Sequence, residues 1–263
     1  MPEIRPIVLL TDFGTKDAYA ASMKGVILNL FPQAQIVDLT HEIRPQNLTQ
    51  AAFLLNMAYP YFPPSSIFVS VVDPGVGSER LIIAAKTSHG IFLAPDNGLL
   101  TLILEKEKPG ELRSVTNRRF FLPKVSSTFH GRDCFAPTAA WLAKKPALFS
   151  ELGPRIGHFN RLTLPSPRIT RGKVRGQILY FDRFGNAFTN ITRSFLNSTG
   201  LRGRTGVRVK GKSLGPLQKS YFEVPKGKAV AVFSSTDILE IAVNHGSAEK
   251  KLGLKEGLPV EIG

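Results

Sequence analysis

Two domains of different build are predicted. The first is an α/β domain whose mostly parallel sheet is covered by helices on both faces, and the second is a small all-β barrel. Three observations carry this reading. Short apolar strands alternate with helix-length amphipathic stretches through the first half of the chain. The stretch Thr163-Leu-Pro-Ser-Pro-Arg168 then breaks the pattern with two prolines. After it come only short β-like runs separated by glycine, proline and asparagine. The expected organisation is therefore 1–162 for the α/β domain, 163–168 for a linker and 169–263 for the barrel.

In chain order, Ile7–Leu10 is an apolar strand that ends at Thr11-Asp-Phe-Gly14. Asp17–Leu30 has apolar residues at helical spacing and stops before Pro32. Gln35–Leu39 is a strand, and Asn47–Ala58 is a helix opened by a capping asparagine. Ile67–Val72, Leu81–Lys86 and Gly90–Leu93 read as buried strands, and Asn97–Glu105 and Phe135–Lys144 as helices. Helices of this length between strands imply parallel pairing with both sheet faces covered. In the second half, strands are expected at Lys173–Phe181, Ala187–Ile191, Gly206–Lys210, Ala229–Phe233, Leu239–Val243 and Pro259–Ile262. No internal repeat or low-complexity segment interrupts them.

Composition narrows the function classes. At 263 residues and 43% hydrophobic, the chain can bury one large core or two modest ones. No apolar run approaches the ~20 residues of a membrane helix. One cysteine, Cys134, excludes an internal disulfide framework and fits a reducing, cytoplasmic setting. The net charge of +14 is unevenly spread: residues 1–150 hold 15 Lys/Arg against 12 Asp/Glu, and residues 151–263 hold 19 against 8. Much of the excess lies in Arg168–Arg175 and Leu201–Lys210, where cations alternate with Ile and Val as on half-exposed strands. A solvated basic face is the simpler explanation, and a polyanion-binding barrel the alternative.

Ligands in open α/β sheets sit beyond the carboxyl ends of the strands, and this chain repeatedly places polar residues there. Thr11-Asp12, Asp38-Leu-Thr-His-Glu42, Asp73 and Pro95-Asp-Asn-Gly98 follow strands, and Ser127-Thr-Phe-His-Gly-Arg-Asp133 precedes a helix. Asp96 and Asp133 are expected to serve as caps or turn residues. Metal ligation is disfavoured, because no H-x-x-x-H or H-x-H pair occurs and the candidates belong to separate loops. Gly75-Val-Gly77 lacks the third glycine and the helix of a phosphate loop. Cys134, opening an apolar helix, reads as core. What remains is a carboxylate and an imidazole acting on water beside a fixed cation: Asp73, His130 and Arg80.

Together, Thr11–Gly14, Asp38–Glu42, Val71-Val-Asp-Pro-Gly-Val-Gly-Ser-Glu-Arg80, Pro95–Gly98, Thr128–Asp133, Asp182-Arg-Phe-Gly-Asn-Ala-Phe-Thr-Asn190 and Ser234-Ser-Thr-Asp-Ile-Leu-Glu-Ile-Ala-Val-Asn-His-Gly-Ser247 resemble the S-adenosyl-L-methionine (SAM) hydrolases. These are also called SAM hydroxide adenosyltransferases, relatives of the SAM-dependent fluorinase and chlorinase, and the resemblance runs through almost the whole chain. It implies a homotrimer with each SAM between the first domain of one subunit and the second domain of its neighbour. It also implies cleavage to adenosine and methionine without metal or cofactor. The resemblance puts a water-handling triad on Asp73, Arg80 and His130, and the ribose hydroxyls on Asp12. Asp182 and Asn186 match residues gripping the methionine end and adenine, Ser235 and Glu240 match further contacts, and Phe184, Phe188 and Tyr221 would wall the pocket. The halogenating relatives carry an aromatic in place of Asp73, which favours hydroxide over halide here. This chain departs from the pattern at Thr236-Asp237, where a glycine is expected, and at His245.

The chemistry is consistent with that implication. Attack on C5′ of a sulfonium expels a neutral thioether, so no general acid is needed, only an in-line water held close. Two other classes remain at this point: a basic nucleic-acid-binding protein acting through the barrel, disfavoured because that half lacks an aromatic-basic RNA motif, and a SAM or adenosine sensor without turnover.

Overall fold

In the computed structural model, which describes residues 5–201 and 206–263, the chain divides into two units, Met1–Leu162 and Thr163–Gly263. Arg202, Gly203, Arg204 and Thr205 of the second basic run lie outside the described residues.

The first unit is built from β1 (Ile7–Thr11), α1 (Tyr19–Leu30), β2 (Ile36–Thr40), α2 (Leu48–Ala58), β3 (Ile67–Val71), β4 (Ile82–Thr87), β5 (Gly90–Pro95), α3 (Thr101–Glu107), β6 (Glu111–Ser114) and α4 (Ala136–Lys144). The strands form one sheet in the order β2-β1-β3-β5-β4-β6. β1 pairs in parallel with β2 and β3, and β3 with β5, whereas β4 runs against both β5 and β6. The reversal at β4 follows from its short Ser88-His89 turn into β5, since a parallel connection would need a crossover of a dozen residues or more.

The alternation of strand side chains divides the core into two layers. Ile7, Leu9, Ile67, Val69 and Val71 pack against Met23 and Ile27 of α1 and Ala139, Ala140 and Ala143 of α4. Val8, Leu10, Phe68 and Val72 face the other way, onto Ala51 and Leu55 of α2 and Ile103 and Leu104 of α3. Phe68 and Phe92, paired across β3 and β5, stack with ring centroids 4.6 Å apart. Each such fully buried side chain contributes about 1.5–3 kcal/mol of transfer free energy.

This layering positions the site. The connection from β1 through α1 leads to one side of β1, and that from β2 through α2 returns to the other, with the two helices on opposite faces. The winding thus reverses at β1 and β3, and a crevice opens beyond their carboxyl ends.

Several boundaries differ from the sequence expectation for identifiable reasons. Helix α3 starts at Thr101 rather than Asn97, because the Asn97 side chain donates to Val72 O at 2.8 Å and accepts from Leu99 N at 3.2 Å. A π-turn, Gly131–Phe135, runs directly into α4. Strand β6 carried no sequence signal, since Glu111-Leu-Arg-Ser114 offers a single strongly apolar residue. The capping asparagine of α2 is observed, with Asn47 accepting from Gln50 N at 2.9 Å.

The second unit comprises β7 (Arg168–Thr170), β8 (Lys173–Phe181), β9 (Ala187–Thr192), α5 (Arg193–Ser198), β10 (Gly206–Val209), β11 (Lys212–Pro216), β12 (Ala229–Phe233), β13 (Ile238–Val243), α6 (Ala248–Leu252) and β14 (Pro259–Ile262). Its antiparallel sheet follows the order β11-β10-β14-β8-β9-β13-β12, with β7 on β8. Gln218, just past β11, bridges Val232 of β12 and donates to Ala231 O at 2.9 Å, so the sheet curls into a nearly closed barrel. Val174, Ile178, Ile191, Val207, Leu239, Ile241 and Val260 fill its interior. The short strands β7 and β11 lie outside the sequence expectation: Arg168, the expected end of the linker, opens β7, and Gly215-Pro216 masks the edge strand β11. The basic run resolves into a row of cross-strand neighbours: Arg168, Arg175, Glu261 and Arg208. Arg175 Nη2 lies 2.5 Å from Glu261 Oε1, as on a solvated sheet face.

Candidate active site

The strand β3 ends at Val71, and Asp73 follows at the mouth of the crevice. Two consecutive turns then reverse the chain: Val76 N donates to Asp73 O at 3.2 Å, and Ser78 N and Oγ donate to Gly75 O at 3.1 and 2.7 Å. Gly77 adopts φ +80°, and a Cβ there would come within 2.3 Å of the Ser127 carbonyl oxygen. Only glycine fits both the backbone conformation and the contact. The turns bring Arg80 back over the carboxylate seven positions earlier. Its Nε donates to Oδ1 and Oδ2 of Asp73, each at 3.0 Å, and its Nη2 makes a further short bond to Oδ2.

The same Nη2 lies 2.9 Å from His130 Nδ1, so Asp73, Arg80 and His130 form one hydrogen-bonded unit. A guanidinium can only donate. His130 Nδ1 must therefore present its lone pair, and the proton of the neutral imidazole resides on Nε2. Burial, reinforced by the positive charge of Arg80, lowers the His130 pKa against the opposing pull of Asp73 and Asp133. The Asp73 and Arg80 side chains are only 5% and 11% exposed, and Arg80 lies over the Phe135 ring with its Cζ 5.9 Å from the centroid.

Asp73 and His130 face a cavity of about 330 Å³ that also contains Asp12. Asp12 is held by the Gln46 backbone, whose N donates to its Oδ2 at 2.8 Å. The loop carrying Asp12 is stitched to the loop after β2, with Gly14 N donating to His41 O at 2.7 Å. Thr11 Oγ1 meets His41 Nδ1 at 2.8 Å, and His41 Nε2 lies 3.1 Å from Asp38 Oδ1. The cavity wall includes three aromatics in mutual contact, Phe13, Tyr19 and Phe129, with centroids 5.1–5.8 Å apart. The motifs already contained Phe13 and Phe129, but sequence reasoning placed its aromatic walls only in the second domain. Gln46, Tyr19 and Phe135 gave no sequence signal of a site.

The remaining polar strand ends are structural. Asp96 accepts from Asn160 N at 2.8 Å and from its Nδ2 at 3.1 Å. Asp133 is fully buried and accepts from Ser126 N at 2.8 Å and Arg132 Nε at 2.6 Å. Although burial alone would raise its pKa, those bonds lower it. Cys134 is buried, and burial followed by the Asp133 charge pushes its thiol up to about 11, which removes it as a nucleophile at neutral pH. The PGVG turn leads into β4 and no helix follows it. Among the described residues, no group of three or more His, Cys, Asp and Glu could hold a metal ion.

The second unit gathers its own cluster. Asp182 closes the β8–β9 turn: its Oδ1 accepts from Phe184 N at 2.9 Å and Asn186 N at 2.8 Å, and its Oδ2 from Asn186 Nδ2 at 3.1 Å. Tyr180, Phe188 and Glu240 are cross-strand neighbours on β8, β9 and β13, and they face away from the barrel core. Tyr180 and Phe188 stack at 5.0 Å. Tyr221 OH donates to Glu240 Oε1 at 2.8 Å and Oε2 at 3.1 Å. Burial, with the nearby Asp182 charge, pushes Glu240 up to about 7 against the opposing bond from Tyr221. Phe184 is 75% exposed in the turn. Ser235 is exposed in the hairpin turn between β12 and β13. Asp237 of that turn adopts φ +65°, the left-handed conformation for which the sequence pattern expects glycine, and its carboxylate accepts from Arg193 Nε at 2.6 Å. His245, the other departure, is also left-handed, at φ +53°.

Comparison with known proteins agrees with these motifs. The SAM hydroxide adenosyltransferase N-terminal domain matches residues 7–153, and the corresponding C-terminal domain matches residues 176–261. An (R)-S-adenosyl-L-methionine hydrolase of Thermus thermophilus is 40% identical over 98% of this chain and 100% of its own length. One from Methanocaldococcus jannaschii is 36% identical over 97% and 95%. A fluorinase of an Actinoplanes species is 26% identical over 97% and 96%. Among solved structures, an uncharacterized conserved protein from Thermotoga maritima, 39% identical, superposes with a TM-score of 0.91 over 97% of this chain and 99% of that one. In sequence, architecture and motif order, the chain belongs to the SAM hydroxide adenosyltransferase family.

Proposed function

We propose that this chain hydrolyses S-adenosyl-L-methionine to adenosine and L-methionine by attack of water on the ribose C5′, without a metal or cofactor. The observation that carries the proposal is the single hydrogen-bonded unit of Asp73, Arg80 and His130 in the switch-point cavity beside Asp12. Its relatives' names specify the (R) epimer at sulfur, and we take that epimer as the substrate.

In this reading Asp12 receives the ribose hydroxyls and a water sits between Asp73 and His130. His130 Nε2–H donates to the water oxygen. Asp73 accepts one of the water's protons through Oδ1, which Arg80 engages less fully than Oδ2. As the oxygen bonds to C5′, the C5′–S bond breaks, its electron pair returns to sulfur, and methionine leaves as a neutral thioether. The water proton passes to Asp73, because the His130 lone pair is already committed to Arg80. Phe13, Tyr19 and Phe129 shield the reaction from bulk water and attract the sulfonium, an effect of roughly 0.5–2 kcal/mol. Asp182 and Glu240 supply carboxyl groups, with the Asn186 amide beside Asp182, suited to the methionine ammonium and the adenine amine, and Phe184, Phe188 and Tyr221 provide the walls; Ser235 contributes from the hairpin. We assign these residues to the neighbouring subunit of a homotrimer acting in the cytoplasm.

The test is to incubate the protein with each SAM epimer, with and without chelator, and to separate the products by chromatography. Failure to form adenosine and methionine from either epimer overturns the proposal, and chelator sensitivity overturns its metal-free part. Mixing Asp73→Asn with Asp182→Ala protein after mild dissociation should restore activity if the site is shared between subunits. Binding of SAM without turnover would instead favour a sensor.

A further inference from the structure

A second depression, of about 540 Å³, also reaches His130, with Gly77, Arg118, Lys124, Val125 and Ser127 in its wall. His130 borders both this groove and the front cavity that contains Asp12 and Asp73. The partition between the two is made of two turns. Pro74 and Val76 face the front cavity and Gly77 the groove, while Thr128 and Phe129 face the front and Ser127 the groove. The turns meet where Gly77 lies against the Ser127 carbonyl.

Charge distinguishes the groove from its neighbour. Arg118 and Lys124 are exposed in it, and its described lining contains no carboxylate. Asp133, three residues beyond His130, is committed to Arg132 and Ser126. Geometry adds a second consideration. In-line displacement places the nucleophile and the departing sulfur on opposite sides of C5′. A substrate seated in the front cavity closes the approach from that side, and the groove also reaches His130.

We propose, building on the hydrolase reading, that this groove is a separate entrance for the nucleophile. Water, and small monoanions drawn by Arg118 and Lys124, reach the Asp73–His130 position through it while substrate fills the front cavity. An anion arriving there displaces methionine directly. With azide, an N–C5′ bond forms as the C5′–S bond breaks, the electron pair goes to sulfur, and no proton moves.

The test begins with wild-type protein and azide. Entry through the groove makes azide inhibition of adenosine formation noncompetitive with SAM and yields 5′-azido-5′-deoxyadenosine. Competitive inhibition overturns the proposal, as does the absence of both inhibition and azido product. In Arg118→Gln/Lys124→Gln, the azide concentration giving half-inhibition should rise at least about fivefold, with azide-free turnover within about twofold of wild type. An unchanged azide response overturns the anion role. Val125→Trp, which plugs the groove, should lower kcat at least about fivefold with KM within about twofold, whereas Val125→Ala should match wild type. Unchanged kcat in Val125→Trp overturns the entrance, and if that variant does not fold, the wild-type inhibition pattern decides. If wild-type protein forms no adenosine, the proposed function falls, but the groove is still decided by the azide infrared stretch in adenosine-saturated protein. A shifted band that is lost in the double glutamine variant supports the groove, and an unshifted band overturns it.

Discussion

Asp73 and Glu240 are both carboxylates withdrawn from water at the ends of their respective clusters, and the two domains treat them differently. Asp73, with its side chain 5% exposed, meets a guanidinium on both oxygens. Glu240, 2% exposed, meets the hydroxyl of Tyr221 alone among the described residues, with the Asp182 charge nearby. The first is paired with a permanent cation; the second sits near its titration point, at about 7. Burial alone therefore does not decide what a carboxylate can do, because the partner decides whether the desolvation penalty leaves it charged. In the α/β domain the cation belongs to the protein. In the barrel, among the described residues, Glu240 has a neutral hydroxyl as its partner where Asp73 has a cation.

The contrast can be broken most forcefully at Arg80. Arg80→Met leaves Asp73 buried without a partner, and we expect a loss of about 3–5 kcal/mol in urea unfolding together with loss of turnover. Arg80→Lys should recover part of the stability but not the activity, since one ammonium cannot span Asp73 and His130 with the same fork. Equal activity in Arg80→Lys would remove the geometric role of the guanidinium.

Asp73→Asn and His130→Ala come next. Each should lower turnover about 10²–10⁴-fold while adenosine binding, followed by calorimetry, persists. Unchanged rates would take these residues out of the chemistry.

Glu240→Gln sharpens the other side. Because the folded pKa is raised from 4.5 to about 7, the folded protein retains a proton that the unfolded chain releases between those values. The stability from this group is fully present below 4.5 and lost as pH rises through about 7, a change on the order of 3 kcal/mol. His130 has the opposite sign: its pKa is lowered, so its contribution is complete above 6.5 and is lost as pH falls. Thermal or urea unfolding from pH 4 to 8 should show that Glu240→Gln removes the decline toward neutrality and leaves the acid-side loss. A profile identical to wild type would mean Glu240 is not perturbed.

Gly77→Ala has the smallest expected effect on stability. The added Cβ must displace the Ser127 carbonyl and occupy a left-handed backbone, at about 1–3 kcal/mol. Because that contact also supports the loop carrying His130, kcat should fall more than adenosine affinity does.

Most of this arrangement was legible in the sequence where the chain obeys a period or a motif. The apolar runs Ile7–Leu10 and Ile67–Val72 mark the central strands, and the motifs bring out Asp73, Arg80 and His130, which the structure joins by hydrogen bonds. What escaped was set by contacts distant in sequence. Asn97 has the look of a helix start, but its side chain holds Val72, the residue just past β3. Phe135 reads in the sequence as the first residue of a helix, yet its ring also lies beneath the Arg80 guanidinium. Strands β7 and β11 form because neighbouring strands offer them hydrogen-bonding partners, which no local pattern encodes.

The π-turn ahead of α4 has a consequence for how the imidazole is aimed. Ala136 N–H donates to the Gly131 carbonyl, so this turn holds one residue more than an α-turn. The phase of α4 is fixed by its alanines against β1 and β3. Removing one residue from 131–135 would leave Asp73, Arg80 and His130 in the chain but rotate the segment bearing His130 by about 100° relative to the helix. The direction of the imidazole is thus determined by counting, and in this stretch the length of the chain is as much a part of the chemistry as the identity of its residues.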